Sequence, residues 1–260
     1  MLWLSHAWPQ VFHLLGLHLA LSLPAILASI LIAVPLGRLS FRAPRAGGLV
    51  LTLAGLLYAI PSLPLLIVIP AIFGVPLRSG ATIVIALTAY GVALLVRTAA
   101  DAFRAVDPDV RRAAVAVGFS RRALLWRVDL PLAVPVIAAG VRVVAVSTVG
   151  LVTIGSLVGI DSLGTLFTDG FQRGIVWEVA TGLILTVLLA LALDAVVRLI
   201  ARALTPWARP RRTSGGSPAD GGRPAGDGTA GDDGAPGGPA SSTVISVSDA
   251  APSSGKGGVR

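Results

Sequence analysis

The 260-residue chain is 54% hydrophobic and only 13% charged, and its apolar residues fall in long uninterrupted runs. This composition excludes an ordinary soluble domain and is typical of a protein that spans a membrane. The formal net charge of +8 does not indicate nucleic-acid binding, because the arginines flank the apolar runs and form no single soluble face. The chain has no cysteine, which excludes disulfide and thiolate chemistry.

Five apolar runs are each long enough to cross a hydrocarbon core of roughly 30 Å as a helix. Their continuity is unlike the short alternating segments of a membrane β-barrel. We therefore predict an all-α membrane protein with five transmembrane helices, because lipid offers no partner for unpaired backbone groups. The predicted spans are about 14–36, 49–73, 80–99, 132–158 and 177–203.

Basic residues predict the orientation of these spans. The segments after the first, third and fifth spans hold most of the arginines, whereas the two other loops hold only Arg78 and Arg173. Because Lys and Arg beside a span stay in the cytoplasm, we expect residues 1–13 outside a cell (inner) membrane and the C-terminus inside. The first run lacks the basic n-region of a signal peptide, so we expect it to be a retained span.

The character of the chain changes after the last span. Residues 205–260 are rich in Gly, Pro, Ser, Ala and Asp and are predicted to form a disordered cytoplasmic tail. The Gly255-Lys256 pair in this tail lacks the glycine spacing and the Ser or Thr of a P-loop. We therefore predict no nucleotide site in this chain.

Residues 107–131 predict two short basic helices on the cytoplasmic side. Asp107 can cap the first helix, and Gly118 supplies the left-handed residue that commonly ends one. Ser120 can cap the second helix, which we expect Pro131 to end before the fourth span. On these features alone the segment is either an interfacial helix held by anionic lipid or a knob that a cytoplasmic partner grips.

The spacing within this segment resembles the EAA loop of ATP-binding-cassette (ABC) importer permeases. Ala113-Ala114, three residues, Gly118, nine residues and then Val128-Asp129-Leu130-Pro131 follow the pattern of that loop, although Arg112 stands where the family has Glu. The resemblance implies a type I ABC importer (MetI-like) permease fold over 14–204, with 107–131 as the coupling loop that docks in an ATPase cleft. The coupling residues it implies are Arg112, Ala113, Ala114, Gly118, Leu124, Val128, Leu130 and Pro131.

The same resemblance implies partners and cargo. Residues 18–39 and 56–66 are similar to spans of the glycine betaine, carnitine and choline permeases. A permease of this kind is a transport subunit with no catalytic residue, metal or cofactor of its own; ATP and magnesium would bind its ATPase partners. A second permease subunit (the same or a sister chain), an extracytoplasmic binding protein and membrane lipid complete the expected partners. The alternatives are an amino acid or sulfonate cargo, or a secondary carrier or membrane scaffold, although the internal repeat typical of carriers is not seen.

Polar and kinked positions within the spans are candidates for the translocation path. Arg142 and Asp194 are each about 16 Å from the cytoplasmic ends of their spans, so we predict a buried ion pair between them. Arg97 and Arg198 lie nearer the inner ends, where long side chains can reach the interface. The three histidines have no metal-ligand cluster around them and are assigned no chemistry. The candidate path residues are Tyr58, Pro61, Ser62, Pro64, Tyr90, Ser147 and Thr148.

Overall fold

The computed structural model describes residues 2–208, with side chains for residues 8–207, so most of the predicted tail lies outside the described residues. The regular structure within this range is helical. The helices, numbered in chain order, are α1 (Leu2–Arg42), α2 (Pro44–Ala59), α3 (Ser62–Phe73), α4 (Gly80–Arg104), α5 (Pro108–Ala116), α6 (Arg121–Leu124), α7 (Leu130–Val152), α8 (Gly164–Arg173) and α9 (Val176–Leu204).

The second predicted span is two helices. α2 and α3 meet at an angle of 112°, so the expectation of one helical run over 49–73 is wrong. The break falls at Ile60-Pro61, where proline supplies no backbone N–H and forces the preceding residue into an extended conformation. Four helical stretches are long and apolar enough to cross a membrane, and the bent pair makes a fifth span if counted as one.

Helix α4 lies at the centre of the bundle and packs against α1, α2, α3 and α7. Its buried residues contribute to two apolar clusters, one around Ile83 and Tyr90 and the other around Leu95 and Phe103. Helix α9 is the most peripheral span and contacts mainly α7 and α8. α4 is therefore the helix against which α1, α2, α3 and α7 pack.

Small residues allow the central helices to approach closely. A Cβ placed on Gly37 of α1 would lie 2.5 Å from Ala99 Cβ of α4, and one on Gly140 of α7 would lie 2.8 Å from Thr98 Cγ2. Lipid tails are as apolar as leucine, so helix association in a membrane depends on such close packing and on interhelical hydrogen bonds. The two glycines therefore set the distances of α1 and α7 from α4.

The segment between α7 and α9 folds back onto the bundle. A 3₁₀ turn over Thr153–Val158 follows α7, Gly159 then adopts a left-handed conformation, and α8 packs against α9. Gly164 begins α8 so close to the 3₁₀ turn that a Cβ there would meet the Thr153 carbonyl oxygen. This short amphipathic helix covers one end of α9.

Candidate coupling and translocation sites

The 107–131 segment forms two helices joined by a glycine elbow, as the sequence predicted. The Asp107 side chain accepts a 2.8 Å hydrogen bond from Asp109 N, and Pro108 begins α5. Gly118 has a φ of 94°, and Phe119 N donates to the Ala114 carbonyl at 3.0 Å, which closes the helix end. Ser120 accepts from Ala123 N at 3.3 Å and caps α6. Asp107, Gly118 and Ser120 therefore begin and end these helices at the predicted positions.

We expected the second helix of this segment to end at Pro131, but the helix continues past this residue. A π-helical turn over Leu125–Asp129 continues α6 directly into α7, and Leu130 N donates to the Leu125 carbonyl five residues earlier. In a regular α-helix the Pro131 ring would clash with the Arg127 carbonyl, to which it has no N–H to donate. The wider turn accommodates the proline without a break. Residues 107–131 are therefore connected to α7 through continuous helix.

Asp129 is the centre of a buried group of ion pairs with Arg38 and Arg111, which we call the ionic joint. It lies at the base of residues 107–131, which we call the coupling segment. Asp129 is 3% exposed and accepts hydrogen bonds from Arg111 Nε at 2.7 Å and from Arg38 at 3.1 Å. The Arg111 guanidinium also donates to the Phe103 carbonyl and lies 4.6 Å from the centroid of the Phe41 ring. One carboxylate thus joins α5, the end of α1 and the start of α7, while Arg111 adds the end of α4.

The sequence prediction missed this joint. Asp129 stood at the variable position of the resembled motif, and Arg111 was counted only as one basic residue among many. A lone carboxylate in the stretch RVDLP, beside a span and among arginines, is the signal that could have indicated it. A buried charge needs partners, so such a residue calls for a search for the arginines that satisfy it.

The exposed surface of the coupling segment carries apolar side chains. Val115 is 57% exposed, Val117 79% and Trp126 66%, although none of them was among the predicted coupling residues. Of the predicted coupling residues, some are exposed and the others are partly buried. Arg112, Ala113 and Gly118 are exposed, with Arg112 paired to Asp109, whereas Ala114, Leu124, Val128, Leu130 and Pro131 are partly buried.

A second site lies at the break between α2 and α3. The Tyr90 hydroxyl of α4 donates a hydrogen bond to the Ile60 carbonyl, which the break leaves without a helical partner. The rings of Tyr58 and Tyr90 meet edge to face with centroids 6.2 Å apart. Tyr90 therefore holds the bend in place and positions Tyr58 beside it.

A cavity of about 410 Å³ opens at this break. It brings together five of the seven candidate path residues, contributed by the bend, α4 and α7. Pro64 and Thr148 are not among its lining residues; Pro64 is exposed and Thr148 is 3% exposed. The lining consists of Tyr58, Ala59, Ile60, Pro61, Ser62, Tyr90, Leu94, Ser147 and Leu151.

Arg142 and Asp194 are in contact at a similar depth, as the sequence predicted, but the prediction that the pair is buried is wrong: the Arg142 side chain is 38% exposed and that of Asp194 13%. Arg142 Nε donates to Asp194 Oδ1 at 2.6 Å, and a terminal nitrogen of Arg142 donates to Oδ2 at 3.2 Å. Arg198 pairs with the same carboxylate from one helical turn away on α9. Arg142 is five residues before Ser147 on α7, which turns it by about 140° from the side of the cavity. This pair ties α7 to α9.

His18 has a structural role that sequence reasoning did not assign. It is fully buried; its Nε2 lies 3.1 Å from the Val149 carbonyl, and its Nδ1 accepts from Leu163 N at 3.3 Å. Because a backbone N–H can only donate, Nδ1 must be the acceptor and Nε2 must carry the proton. One imidazole thus joins α1, α7 and the loop before α8. Within residues 2–208, no group of three or more His, Cys, Asp or Glu side chains is arranged to hold a metal.

Solved structures of importer permeases share this helical arrangement. A chain of the MetNI methionine ABC transporter in an inward-facing conformation superposes with a TM-score of 0.64 at 20% identity, covering 75% of this chain and 96% of that one. A chain of an amino acid ABC transporter gives a TM-score of 0.62 at 16% identity, covering 79% and 97%. The fold is therefore that of a type I ABC importer permease.

Sequence comparison supplies the family. The family model of binding-protein-dependent transport system inner membrane components matches residues 25–210, and the chain belongs to this family. It is accordingly a multi-pass inner-membrane transport subunit and not an enzyme, which confirms the predicted fold class and function and rules out the carrier and scaffold alternatives.

Curated relatives cover most of the described chain. The osmoprotectant import permease protein OsmW of Salmonella typhimurium is 31% identical, over 73% of this chain and 89% of its own length. The choline transport system permease protein OpuBB of Bacillus subtilis is 28% identical over 73% and 86%. The carnitine transport permease protein OpuCD of Listeria monocytogenes is 29% identical over 75% and 86%.

Proposed function

We propose that this chain is the permease subunit of an ATP-driven importer for quaternary ammonium osmoprotectants such as glycine betaine, choline or carnitine. The names of its relatives support this cargo class over an amino acid or a sulfonate. ATP and magnesium bind separate cytoplasmic ATPase subunits, and an extracytoplasmic binding protein delivers the ligand. The N-terminus lies outside and the C-terminus in the cytoplasm.

The joint between Asp129, Arg38 and Arg111 is the observation that carries the coupling role. α5 and α6 have no buried residues of their own, and the segment presents exposed valines in and beside α5 and an exposed tryptophan in the π-helical turn. A segment so exposed would move freely if only its chain ends held it. The joint instead fixes its base to α1, α4 and α7, so that a partner gripping the apolar side can move these three helices together.

The translocation path follows the cavity at the α2–α3 break. The cavity is open at one side, and a second permease subunit, the same or a sister chain, completes the path there. When ATP draws the ATPase subunits together, the two coupling segments move and the path changes the side of the membrane to which it opens. Membrane lipid covers the remaining apolar surface.

The absence of native cysteines makes contact and orientation directly testable. Val117 of the elbow is 79% exposed and Phe171 of α8 is 85% exposed, so each accepts a single cysteine without loss of a buried contact. We expect Val117→Cys to crosslink to the ATPase subunit in native membranes. Phe171→Cys should not crosslink to it and should react with an impermeant maleimide added outside intact cells.

The opposite labelling pattern would overturn the orientation, and a failure of Val117→Cys to reach any ATPase would overturn the coupling role. Cargo is tested by ATP-dependent uptake of labelled glycine betaine, choline and carnitine into cells that carry the complete system. Methionine and a small alkyl sulfonate serve as competitors. Competition by either of them, without uptake of the quaternary amines, would replace the proposed cargo.

A further inference from the structure

One exposed arginine in the central helix, Arg97, has no carboxylate partner among the described residues. Between Thr82 and Phe103 of α4, only Arg97 and Asp101 are exposed; every other position in that stretch is buried or half-buried. Among residues 2–208 no carboxylate lies within 4 Å of Arg97, and Asp101, one turn further on, pairs with Arg104 at 2.9 Å. A charge at this position in a span is expected to face a polar cavity or another protein chain and not lipid.

The helix geometry directs Arg97 toward the cavity at the α2–α3 break. Tyr90 and Leu94 line that cavity, and Arg97 follows them by seven and three residues on the same face of α4. Its Cα is therefore about 4.5 Å beyond Leu94 along the helix. Side chains in an α-helix lean toward its N-terminus, which here is the direction of the cavity. Reaching the cytoplasmic interface would require the side chain to turn the opposite way.

The lining of the cavity can bind a cation through aromatic rings, without a carboxylate. This lining holds two tyrosine rings and no carboxylate, and Tyr58 is 55% exposed. Tyrosine faces attract quaternary ammonium groups through the ring quadrupole. The volume of about 410 Å³ accommodates a small organic molecule. The cavity therefore offers aromatic surface, and Arg97 follows Leu94 of its lining by one helical turn without being a lining residue itself.

We propose that Arg97 binds the carboxylate of a zwitterionic substrate in transit while Tyr58 and Tyr90 contact its quaternary ammonium group. The ligand class is a trimethylammonium carboxylate, for which glycine betaine is the simplest probe. Choline, which carries the same ammonium group and no carboxylate, makes only the aromatic contacts. This inference rests on the proposed function and adds a specificity-determining residue within the permease.

The test compares uptake of glycine betaine and choline by cells carrying the complete importer, with the binding protein saturated. We expect Arg97→Gln to lower glycine betaine uptake about tenfold or more, as loss of a charge-assisted contact does, and to leave choline uptake within about twofold of its starting value. Arg97→Lys should recover much of the betaine uptake because it keeps the charge. Arg45→Gln, an exposed arginine in the first turn of α2, is the matched control and should change neither.

Equal loss of both substrates in Arg97→Gln would overturn the inference, because it would report general damage to the path. Unchanged betaine uptake would overturn it as well. If the wild-type importer carries glycine betaine and no choline, failure of Arg97→Lys to recover more uptake than Arg97→Gln is the overturning result. A wild-type system with no ATP-dependent uptake of either probe would instead refute the proposed function itself.

Discussion

Arg111 Nε and Asp129 Oδ1 lie 2.7 Å apart and join the first helix of the coupling segment to the turn that enters α7. The two residues are 18 positions apart, and the elbow at Gly118 lies between them. The contact therefore closes the whole segment into a loop whose base is fixed. Arg38 approaches the same carboxylate from α1, so the base is tied to the bundle at more than one helix.

Replacing Asp129 with Asn should uncouple transport from ATP hydrolysis. The change leaves two guanidinium groups in a largely buried position without their carboxylate, at a cost of about 3–5 kcal/mol. We expect a lower thermal midpoint of the purified complex and at least tenfold slower uptake, while some ATP hydrolysis by the partner persists. Uptake and hydrolysis are measured on the same preparation.

The control for this change is Asp109→Asn. Asp109 also pairs with an arginine, but its side chain is 73% exposed, and exposed pairs contribute little to stability. Asp109→Asn should leave uptake and the thermal midpoint nearly unchanged. If both variants behave alike, the joint around Asp129 does not transmit motion.

Replacing Gly118 with Asp should abolish uptake without preventing membrane insertion. A Cβ at this position meets no atom within 4 Å, so the folded chain has room for the side chain, but its φ of 94° is strained for any L-residue. The new carboxylate also lies on the exposed side of the elbow, where we propose that the ATPase docks. Membrane fractionation and uptake assays separate insertion from function.

Gly74→Asp is the matched control for the elbow. Gly74 ends α3 with a φ of 66° and also has no atom within 4 Å of an added Cβ. It should therefore suffer similar backbone strain at a distance from the coupling segment. Retained uptake in Gly74→Asp, together with loss in Gly118→Asp, assigns the effect to docking; equal loss in both would assign it to strain.

Replacing His18 with Phe should destabilise the permease. The phenyl ring fills similar space but leaves the Val149 carbonyl and the Leu163 N–H without partners, at about 1–3 kcal/mol for each unsatisfied buried group. We expect a lower thermal midpoint of the purified complex. His13→Phe, at an exposed position on the same helix, should have little effect. An unchanged midpoint for His18→Phe would show that the outer loop is held by its other contacts alone.

Arg142 and Asp194 should behave as a coupled pair. Arg142→Met leaves Asp194 with only Arg198, and Asp194→Leu leaves two arginines within the membrane without a carboxylate. Asp194→Leu leaves uncompensated charges and should lower the yield of folded permease most, whereas Arg142→Met removes the two-point contact but leaves Asp194 paired with Arg198 and should lower the yield less. The double change Arg142→Met with Asp194→Leu should recover part of that loss. Additive losses in the double variant would show that the contact contributes no coupling energy.

The sequence alone was sufficient for the features whose physical cause is local. A run of about 20 apolar residues crosses a membrane whatever its neighbours are, so the helical membrane class could be predicted directly. Capping by Asp107 and Ser120 and the left-handed Gly118 depend on residues within one turn, and all three appear as predicted. The depths of Arg142 and Asp194 followed from counting residues along straight helices.

Tertiary structure decided which distant groups meet. Asp129 could have paired with many of the 21 Lys and Arg residues, and only packing of α1 against α4 and α7 brings Arg38, 91 positions away, to it. The 112° bend at Pro61 and the direct continuation past Pro131 were not distinguishable locally, because proline can break a helix or be accommodated by a wider turn. Tertiary contacts select between these outcomes: the Tyr90 hydroxyl binds the carbonyl at the bend, while the ionic joint holds the turn before α7.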